Sequence, residues 1–448
     1  MLHIIGEDTL LRQTIKRLDG FHPELNIWIV TTEDLAQDIR FHLKTLGKDV
    51  ERIKFIIEPL GKNTAPAIGL AAITLYKVSS DSMMIVMPSD HAIRDTKAFQ
   101  EKLRLALEAA RQEYLVTFGI KPNRPETAYG YIHSGNPLKG SRGDVFHVER
   151  FYEKPGIKTA ESFIDQGNYY WNSGIFVWKT SRILKEMEIY LPLLYQGLKK
   201  LEIPQDLREE TVDEIYSSFD SISIDYGVLE KSRDVLVIPS DFGWSDLGSW
   251  TALDDVIEKD NRGNIFQGNL IDRGSQNTTV IASDRVMATI GLKDMVVVDT
   301  PDATLVSSKE KVQEVRNVVE ALKEKQRQEH LVHRTVERPW GNYTVLEKGD
   351  RYKIKKVVIH PKAKLSLQVH HHRSEHWVVI SGTARVTRGE EVFDVHPGES
   401  TFIPISVKHR LENLGLISLQ IIEVQNGDYV EEDDIERFDD EYQRVKKE

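Results

Sequence analysis

The hydrophobic pattern changes twice along the chain, and each part predicts a different kind of fold. From residue 1 to about 260, short apolar strands alternate with helical stretches, which is typical of a sheet covered by helices. From about 261 to 330, brief β-rich pieces separated by turns lead into an amphipathic helix over 309–330. From 331 to 448 strand patterns dominate. We therefore expect an α/β domain, a small β-solenoid or sheet with a connecting helix, and a β-barrel or sandwich.

The first part contains enough pattern to place individual elements. It predicts strands over 26–31, 54–57, 82–87 and 115–119, and helices over 65–78 and 96–113. An amphipathic helix near the amino terminus is expected to turn Leu10, Leu11, Ile15 and Leu18 inward. In open α/β sheets the ligand crevice lies beyond the carboxyl ends of the strands, so the PSDH sequence at 88–91 is where a site should lie.

Composition excludes several classes of function. The 448 residues include 59 basic and 70 acidic side chains, and a net charge of -11 argues against nucleic-acid binding. The absence of cysteine excludes disulfides, thiolate nucleophiles and cysteine-ligated metals. Apolar runs are too short to span a bilayer, and the amino terminus lacks the pattern of a signal peptide. These features predict a cytoplasmic protein with no membrane partner.

A cluster of potential metal ligands stands out in the carboxy-terminal part. Because side chains alternate along a strand, His370 and His372 are predicted to point the same way, with His371 opposite. Glu375 beyond a bend and His409 on a later strand would complete a site of three nitrogens and one carboxylate, suited to a divalent first-row metal such as Zn²⁺ or Co²⁺. The alternative is a surface cluster of histidines with unrelated polar neighbours.

Spacing within two motifs favours the metal. The pattern Gly398-x5-Pro404-x-Ser406-x2-His409-x3-Asn413 matches the second cupin motif with serine in place of its usual glycine. The HxH pair, followed by Glu375-x6-Gly382, matches the first motif. Only two residues separate the HxH pair from the glutamate, where three or four are usual, so Glu375 is the least secure ligand.

Three stretches of this part, RPWG at 338–341, LSLQVHHHRSEHWVVISGTA and FIPISVKHRLEN, resemble the isomerase domain of type II phosphomannose isomerase. The resemblance implies a cupin barrel that interconverts mannose 6-phosphate and fructose 6-phosphate. A metal can polarise a sugar oxygen while a base moves a proton between adjacent carbons, although the resemblance does not identify that base. Arg373 and Arg338 are candidates for binding the substrate phosphate, and an ordinary salt bridge is the alternative for Arg373.

Six motifs of the first part point to a second activity. They are EPLGKNTAP at 58–66, PSDH at 88–91, AYGYI at 128–132, FYEKP at 151–155, YWNSGIF at 170–176 and GWSDLGSW at 243–250. The first lies just before a predicted helix, and helix amino termini attract anions. In order and content the six resemble mannose-1-phosphate guanylyltransferase, which forms GDP-mannose from GTP and mannose 1-phosphate on a Rossmann-like nucleotidyltransferase fold of the GT-A type.

This resemblance implies roles for individual residues. Asp90 and Asp246 would hold Mg²⁺, and Lys154 would bind the phosphate of mannose 1-phosphate. The remaining substrate contacts would come from Glu153 and Asn172 at the sugar hydroxyls, from Gly130, and from Glu58, Asn63 and Thr64 beside the nucleotide. The alternative interpretation of an aspartate that follows a strand is a helix cap. The alternative for the tryptophans of GWSDLGSW, and for Tyr129 and Tyr131, is a packing role.

The family pattern begins with an apolar strand, a GxGTRL loop and a Pro-Lys pair, and the sequence here begins just after them. Losing one preorganised donor typically costs roughly 10²- to 10³-fold in rate, so losing several backbone N–H groups with an arginine and a lysine should nearly abolish transfer. The comparison therefore predicts either a start upstream or a crippled transferase half, with the isomerase half carrying the activity. Three functions stay open: a bifunctional enzyme of GDP-mannose synthesis, an isomerase with a degenerate nucleotidyltransferase domain, and a noncatalytic sugar-nucleotide scaffold. The middle region and connecting helix could support a homo-oligomer. The charged end from Glu431 is expected to be a solvated tail or helix without a chemical role.

Overall fold

Strands and helices alternate through the first part of the chain, as its pattern predicts. The structure is a computed structural model that describes residues 8–22, 24–44, 53–141, 143–201, 209–283, 285–325, 327 and 333–439. The elements of the first part are α1 (Leu10–Lys16), β1 (Ile27–Thr32), α2 (Glu33–Lys44), β2 (Ile53–Glu58), α3 (Thr64–Val78), β3 (Met83–Val86), β4 (Ala92–Ile93), α4 (Thr96–Ala110), β5 (Leu115–Ile120), β6 (Tyr131–Pro137), β7 (Phe146–Tyr152), α5 (Ile157–Gln166), β8 (Tyr169–Lys179), α6 (Thr180–Tyr190), α7 (Pro192–Leu201), α8 (Glu209–Ser217), β9 (Val235–Ser240) and β10 (Trp244–Ser245).

A mixed six-stranded sheet in the order β3-β8-β5-β9-β7-β6 forms the centre of this domain. Strand β5 is buried at five of its six positions, because helices or loops cover both faces of the sheet there. Strands β1 and β2 form a separate parallel pair within the described residues. Strand β4, which follows β3 in the chain, forms an antiparallel pair with β10. The predicted strands and helices of this part are all present, and no end is shifted by more than three residues.

Short parallel strands stack into a solenoid in the middle part. They are β11 (Ile265–Gln267), β12 (Leu270–Arg273), β13 (Thr279–Ile281), β14 (Met287–Ile290), β15 (Met295–Asp299) and β16 (Thr304–Ser308). Strands β11, β13 and β15 pair in parallel on one side, β12 pairs with β14 on another, and β16 closes the stack antiparallel. The expected connecting helix is shorter than predicted: a 3₁₀ segment at Lys309–Glu314 precedes α9 (Val315–Glu324), and most residues from 326 to 332 lie outside the described part.

Two antiparallel sheets form the carboxy-terminal domain. Its strands are β17 (Thr335–Arg338), β18 (Gly341–Lys348), β19 (Tyr352–Ile359), β20 (Leu367–His370), β21 (Arg373–Ser381), β22 (Ala384–Arg388), β23 (Glu391–Val395), β24 (Ser400–Ile403), β25 (His409–Asn413), β26 (Leu419–Gly427) and β27 (Ile435–Asp439). One sheet has the order β17-β18-β19-β26-β21-β24 and the other β23-β22-β25-β20-β27. Their inner faces enclose an apolar core that includes Trp340, Trp377 and Ile421, which is the cupin architecture.

One expectation about this domain is wrong. The charged segment from Glu431 is not a solvated tail, because Glu432–Asp434 forms a 3₁₀ turn and β27 pairs with β20. Alternating side chains let one face of a charged strand enter the barrel, which a count of charges does not reveal. Residues 440–448 lie outside the described part. Among the helices that the structure describes, none is long and apolar enough to cross a membrane.

Candidate active sites

Asp90 and Asp246 lie at the same end of the six-stranded sheet. Asp90 follows β3, and Asp246 follows β10, whose antiparallel pairing with β4 brings the two loops together. His91, next to Asp90 in the chain, accepts a hydrogen bond from Trp244 Nε1 at 3.2 Å, and Trp244 lies two positions before Asp246. Burial lowers the pKa of His91, while Asp90 and Asp246 oppose that shift. The two carboxylates predicted to hold Mg²⁺ therefore act on one buried imidazole.

Tyr129 connects this acidic pair to the middle of the sheet. Its hydroxyl donates to Asp246 Oδ1 at 2.6 Å, and the Gly248 backbone N–H donates to the same oxygen at 2.9 Å. Burial, together with the charge of Asp246, raises the pKa of Tyr129, so the hydroxyl keeps its proton and remains a donor. The sequence predicts only a packing role near the sugar for Tyr129. The structure adds that it orients a candidate metal ligand.

A second polar group contains three of the predicted sugar-binding residues. The Asn172 backbone N–H donates to the Gly130 carbonyl at 2.8 Å. Glu153 Oε2 lies so close to Gly130 that a Cβ there would be only 2.5 Å away. Asn172 Nδ2 donates to Asp225 Oδ1 at 2.7 Å, and Lys154 Nζ lies 3.4 Å from Glu153 Oε1. Gly130, Glu153 and Asn172 are thus brought together, with Lys154 at their exposed side.

Asp225 is a member of this group that the sequence analysis missed. It begins a π-helical turn, Asp225–Leu229, of the kind that occurs often at functional sites. Burial, with the charge of Glu153 next in importance, raises its pKa to about 6. The available signal was a single acid between the apolar residues Ile224 and Val228.

The loop before α3 is fixed to the same region. Glu58 is 8% exposed and accepts a short hydrogen bond from the Tyr216 hydroxyl. Asn63 caps α3 by accepting from the Thr64 backbone N–H at 2.8 Å, in a backbone conformation with φ of 71°. The Ile224 N–H donates to Thr64 Oγ1 at 2.8 Å. Since Ile224 precedes Asp225, this bond connects the predicted nucleotide loop to the sugar group.

In the carboxy-terminal barrel, His370, Glu375 and His409 form a buried group of possible metal ligands. One ligand atom from each lies within 4.8 Å of the others, and each residue is at most 2% exposed. His409 Nδ1 lies 2.9 Å from the Val407 carbonyl, which can only accept, so Nδ1 carries the proton of the neutral ring. The other nitrogen, Nε2, is then the one that can bind a metal, and it lies 3.8 Å from Glu375 Oε2.

His370 gives a further indication of a metal. Its Nε2 lies 3.0 Å from Glu375 Oε1, yet within the described residues neither ring nitrogen makes a hydrogen bond of acceptable geometry. A buried imidazole without a partner is costly unless an ion completes it. Burial alone would raise the pKa of Glu375, but His370, His409 and Arg373 bring it below the usual range. The residues therefore fit a divalent cation.

His372 does not join this group, contrary to the predicted ligand set. Its side chain is 63% exposed, and Nδ1 lies 2.7 Å from Asp434 Oδ1. The strand β20 ends at His370, so the alternation on which the prediction relied does not continue to His372. Gln368 is the inward residue two positions before His370, and its Nε2 lies 3.5 Å from His409 Nε2.

This register also removes the spacing anomaly of the first cupin motif. Gln368-x-His370 occupies the position of the HxH pair, with glutamine replacing the first histidine. Four residues then separate His370 from Glu375, which is within the usual three or four. Glu375 is consequently as well placed as the histidines.

Arg373 and Arg338 both line the cavity beside the metal group, but they differ in environment. Arg373 is 1% exposed: it donates to the Glu431 carbonyl at 2.6 Å and lies 3.5 Å from Glu375 and 3.7 Å from Asp434. Arg338 is half-buried at the rim, with its guanidinium 5.9 Å from the Tyr343 ring centre. Arg373 therefore makes the salt bridges that the alternative predicts, and a phosphate-binding role for either arginine stays a prediction.

Comparison with known proteins agrees with both halves of this geometry. The family model "Nucleotidyl transferase" matches residues 1–263, "MannoseP isomerase/GMP-like beta-helix domain" matches 268–322, and "Mannose-6-phosphate isomerase C-terminal" matches 325–440. The xanthan biosynthesis protein XanB of Xanthomonas campestris pv. campestris is 44% identical over 99% of this chain and 94% of its own. The chain belongs to the family of fused mannose-1-phosphate guanylyltransferases and mannose-6-phosphate isomerases.

Two other proteins are similar to most of the chain. Mannose-1-phosphate guanylyltransferase of Escherichia coli K12 is 42% identical over 98% of this chain and 93% of its own. A crystal structure described as mannose-1-phosphate geranyltransferase from Thermus thermophilus is 33% identical and covers 70% of this chain and 90% of its own, with a TM-score of 0.63. The nucleotidyltransferase fold and the cupin barrel predicted from the motifs are therefore confirmed.

The polar end of the barrel includes residues that the sequence analysis did not select. Lys355 on β19 and Glu423 on β26 lie directly opposite each other, 4.0 Å apart, and Lys355 also contacts Glu432 at 2.5 Å. Gln425 Nε2 donates to both Glu375 and Glu423, at 3.0 and 2.8 Å. Burial and the charge of Glu375 raise the pKa of Glu423. The missed signal was an acid in the inward register of β26.

Proposed function

We propose that the chain serves GDP-mannose synthesis through two activities. The amino-terminal domain would transfer a guanylyl group from GTP to mannose 1-phosphate, giving GDP-mannose and pyrophosphate. The cupin domain would interconvert mannose 6-phosphate and fructose 6-phosphate. The observation that carries the proposal is that each half of one chain holds a polar site suited to one of these sugar-phosphate reactions. The cytoplasmic location and a homo-oligomeric state stay predictions from the sequence.

For the transfer, the residues act mainly by position and charge. Asp90 and Asp246 would hold Mg²⁺, which supplies charge neutralisation on the phosphates. Tyr129 would keep Asp246 oriented through its 2.6 Å hydrogen bond. Glu153, Asn172 and Gly130 would fix the sugar, and exposed Lys154 would meet its phosphate. The phosphate oxygen of mannose 1-phosphate then attacks the α-phosphorus of GTP, and pyrophosphate leaves.

For the isomerisation, His370, Glu375 and His409 would hold a divalent ion such as Zn²⁺ or Co²⁺, with Gln368 as the candidate fourth ligand. That ion supplies polarisation of a sugar oxygen. Arg373 holds Glu375 in place from a distance of 3.5 Å, and Arg338 at the rim would bind the sugar phosphate. Arg338, Gln368, Arg373 and Glu375 line one cavity, in which charged side chains lie beside apolar ones, as a sugar-phosphate site requires.

Both activities can be tested on one preparation of this chain. Pyrophosphate release is measured with GTP, mannose 1-phosphate and Mg²⁺, and mannose 6-phosphate isomerisation is measured in parallel. We expect Asp246→Asn to abolish the first reaction only, and His409→Ala to abolish the second only. Isomerisation without any pyrophosphate release would contradict the transferase half and leave an isomerase alone. Absence of both reactions from a folded, metal-loaded chain would contradict the proposal and favour a noncatalytic scaffold.

A further inference from the structure

The inward face of β26 changes from apolar to polar along its length. Leu419 and Ile421 lie in the core, whereas Glu423 and Gln425 continue the same face into the cavity. The neighbouring strand β21 changes in the opposite direction along the chain, from Glu375 to Trp377. Because β21 and β26 are antiparallel, Gln425 lies directly opposite the candidate metal ligand Glu375, and Glu423 lies opposite Trp377.

This register places two carboxylates around one amide. Gln425 Nε2 donates to Glu375 Oε1 at 3.0 Å and to Glu423 Oε1 at 2.8 Å. Two oxygens that accept hydrogen bonds from the same nitrogen lie no more than about 6 Å apart. Glu423 Oε1 therefore lies within about 6 Å of Glu375 Oε1, an oxygen of the metal group. A sugar whose oxygen lies at the metal would present the adjacent C–H bond close to Glu423.

The other acidic groups of the cavity are already engaged. Glu375 belongs to the metal group, and Glu432 makes a 2.5 Å ion pair with Lys355. Asp434 does not line the cavity; it pairs with His372 at 2.7 Å and lies 3.7 Å from Arg373. Glu423 lies 4.0 Å from Lys355, which is beyond hydrogen-bond distance. It is 6% exposed and lines the cavity, so it keeps acceptor capacity toward a substrate.

We propose that Glu423 is the residue that carries the proton between the two sugar carbons, an inference that rests on the proposed isomerase function. The C2–H bond of open-chain mannose 6-phosphate breaks, its proton moves to the Glu423 carboxylate, and its electron pair forms the C1–C2 double bond of an enediolate. The C1 carbonyl oxygen takes up the negative charge. The hydroxyl proton on O2 then shifts to O1, and Glu423 returns its proton to C1, which leaves a C2 ketone. Gln425 holds the carboxylate in position for both transfers.

The main test is Glu423→Gln, which keeps the size of the side chain and an acceptor for Gln425. General acid–base catalysis contributes typically 10² to 10⁴, so we expect kcat for isomerisation to fall by about that factor. We expect the KM for mannose 6-phosphate and the bound metal per chain to stay within about threefold of the parent chain, because the amide preserves the hydrogen bond to Gln425. Glu412→Gln, on strand β25 of the other sheet and outside the cavity lining, is the matched control and should leave the rate unchanged.

A second readout follows the proton itself. In deuterated water the parent chain should introduce deuterium at the migrating position, and Glu423→Gln should slow this exchange as much as it slows turnover. If Glu423→Gln does not fold, Glu423→Asp preserves the charge but withdraws the carboxylate by one methylene, and a fall in kcat at unchanged metal content is still expected.

Two outcomes would overturn the assignment: a metal-loaded Glu423→Gln chain with more than a tenth of the parent kcat, or a Glu423→Asp chain with the full rate. Failure of the proposed function is distinguishable, because the parent chain itself would then not isomerise mannose 6-phosphate.

Discussion

Replacing Asp225 by asparagine should stabilise the amino-terminal domain at neutral pH and lose that advantage in acid. Burial and the nearby charges of Glu153 and Glu230 raise the pKa of Asp225 from 3.8 to about 6. A raised pKa in the folded state means that the fold prefers the protonated side chain. The stability that this preference contributes is complete below pH 3.8 and is lost as the pH rises through 6. At pH 8 the ionised carboxylate therefore destabilises the fold.

The size of the effect follows from the shift. About two pKa units correspond to at most about 3 kcal/mol, since each unit is worth 1.36 kcal/mol. The side chain is only half-buried, so solvent screening reduces this to about 1–2 kcal/mol. Asparagine keeps an oxygen that can accept the 2.7 Å hydrogen bond from Asn172 Nδ2. The substitution thus removes the charge and leaves the contact.

The measurement is the melting temperature of the amino-terminal domain by calorimetry, at pH 8 and pH 4.5. A gain of about 1–2 kcal/mol corresponds to an increase of roughly 2–8 °C for a domain of this size. About two-thirds of the gain should be gone at pH 4.5, because the folded parent chain then holds its proton. Asp220→Asn makes the same chemical change on an exposed side chain and should shift the melting temperature at neither pH.

Either of two results would show that the Asp225 charge does not destabilise the fold. A melting temperature that does not rise at pH 8 would mean that the Asp225 carboxylate has a stabilising partner. A rise of equal size at both pH values would mean that the gain comes from packing and not from charge. Asp225→Asn is also expected to weaken transfer to mannose 1-phosphate, because Asn172 would lose a charged acceptor that orients it.

Two further predictions concern the metal group and the sugar group. His370→Ala should lower the affinity of the cupin domain for a divalent metal by more than the roughly 10- to 100-fold typical of losing a residue that only hydrogen-bonds to a ligand. His372→Ala should retain the metal. Metal content is measured by atomic emission on dialysed protein, and loss of metal from His372→Ala would contradict the ligand set. Gly130→Ala should raise the KM for mannose 1-phosphate by about 10- to 100-fold. Its Cβ would lie 2.5 Å from Glu153 Oε2 and displace it, and losing one hydrogen bond to a charged group costs about 1.5–3 kcal/mol. Isomerisation should be unaffected, and an unchanged KM would show that Glu153 does not hold the sugar.

The sequence predicts the architecture well because hydrophobic period is a local property. Strand and helix patterns of the first domain, the solenoid and the barrel each follow from residues close in the chain. The motifs also identify the groups that the structure brings together around Gly130 and around His370. The hydrophobic periodicity does not determine the residue at which a strand ends. Placing His372 inward requires β20 to continue two residues further than it does.

Asp225 and Glu423 escaped prediction for a different reason. Asp225 meets Asn172, 53 positions earlier, and Glu423 meets Lys355, 68 positions earlier. Neither residue lies in a motif with a recognisable spacing. Their environment arises only when separate strands and turns pack, so burial and charge partners, which decide their pKa, are not properties of any segment.

The segment after β26 shows that buried charges of the barrel also depend on residues distant in the chain. Three long cationic side chains, Lys353, Lys355 and Arg373, enter the barrel with at most 5% exposure, and an unpaired buried charge is strongly destabilising. Residues from the segment after β26 provide their partners: Val430 and Glu431 for Lys353, Glu432 for Lys355, and the Glu431 carbonyl for Arg373.

Arg373 in turn lies against Glu375, and Lys355 lies opposite Glu423. The segment therefore determines the charge balance of both the metal group and the proposed proton-transfer residue. From the sequence alone, its acidic side chains are expected to be solvated. They are instead the counter-charges that allow a polar site to exist inside an apolar barrel.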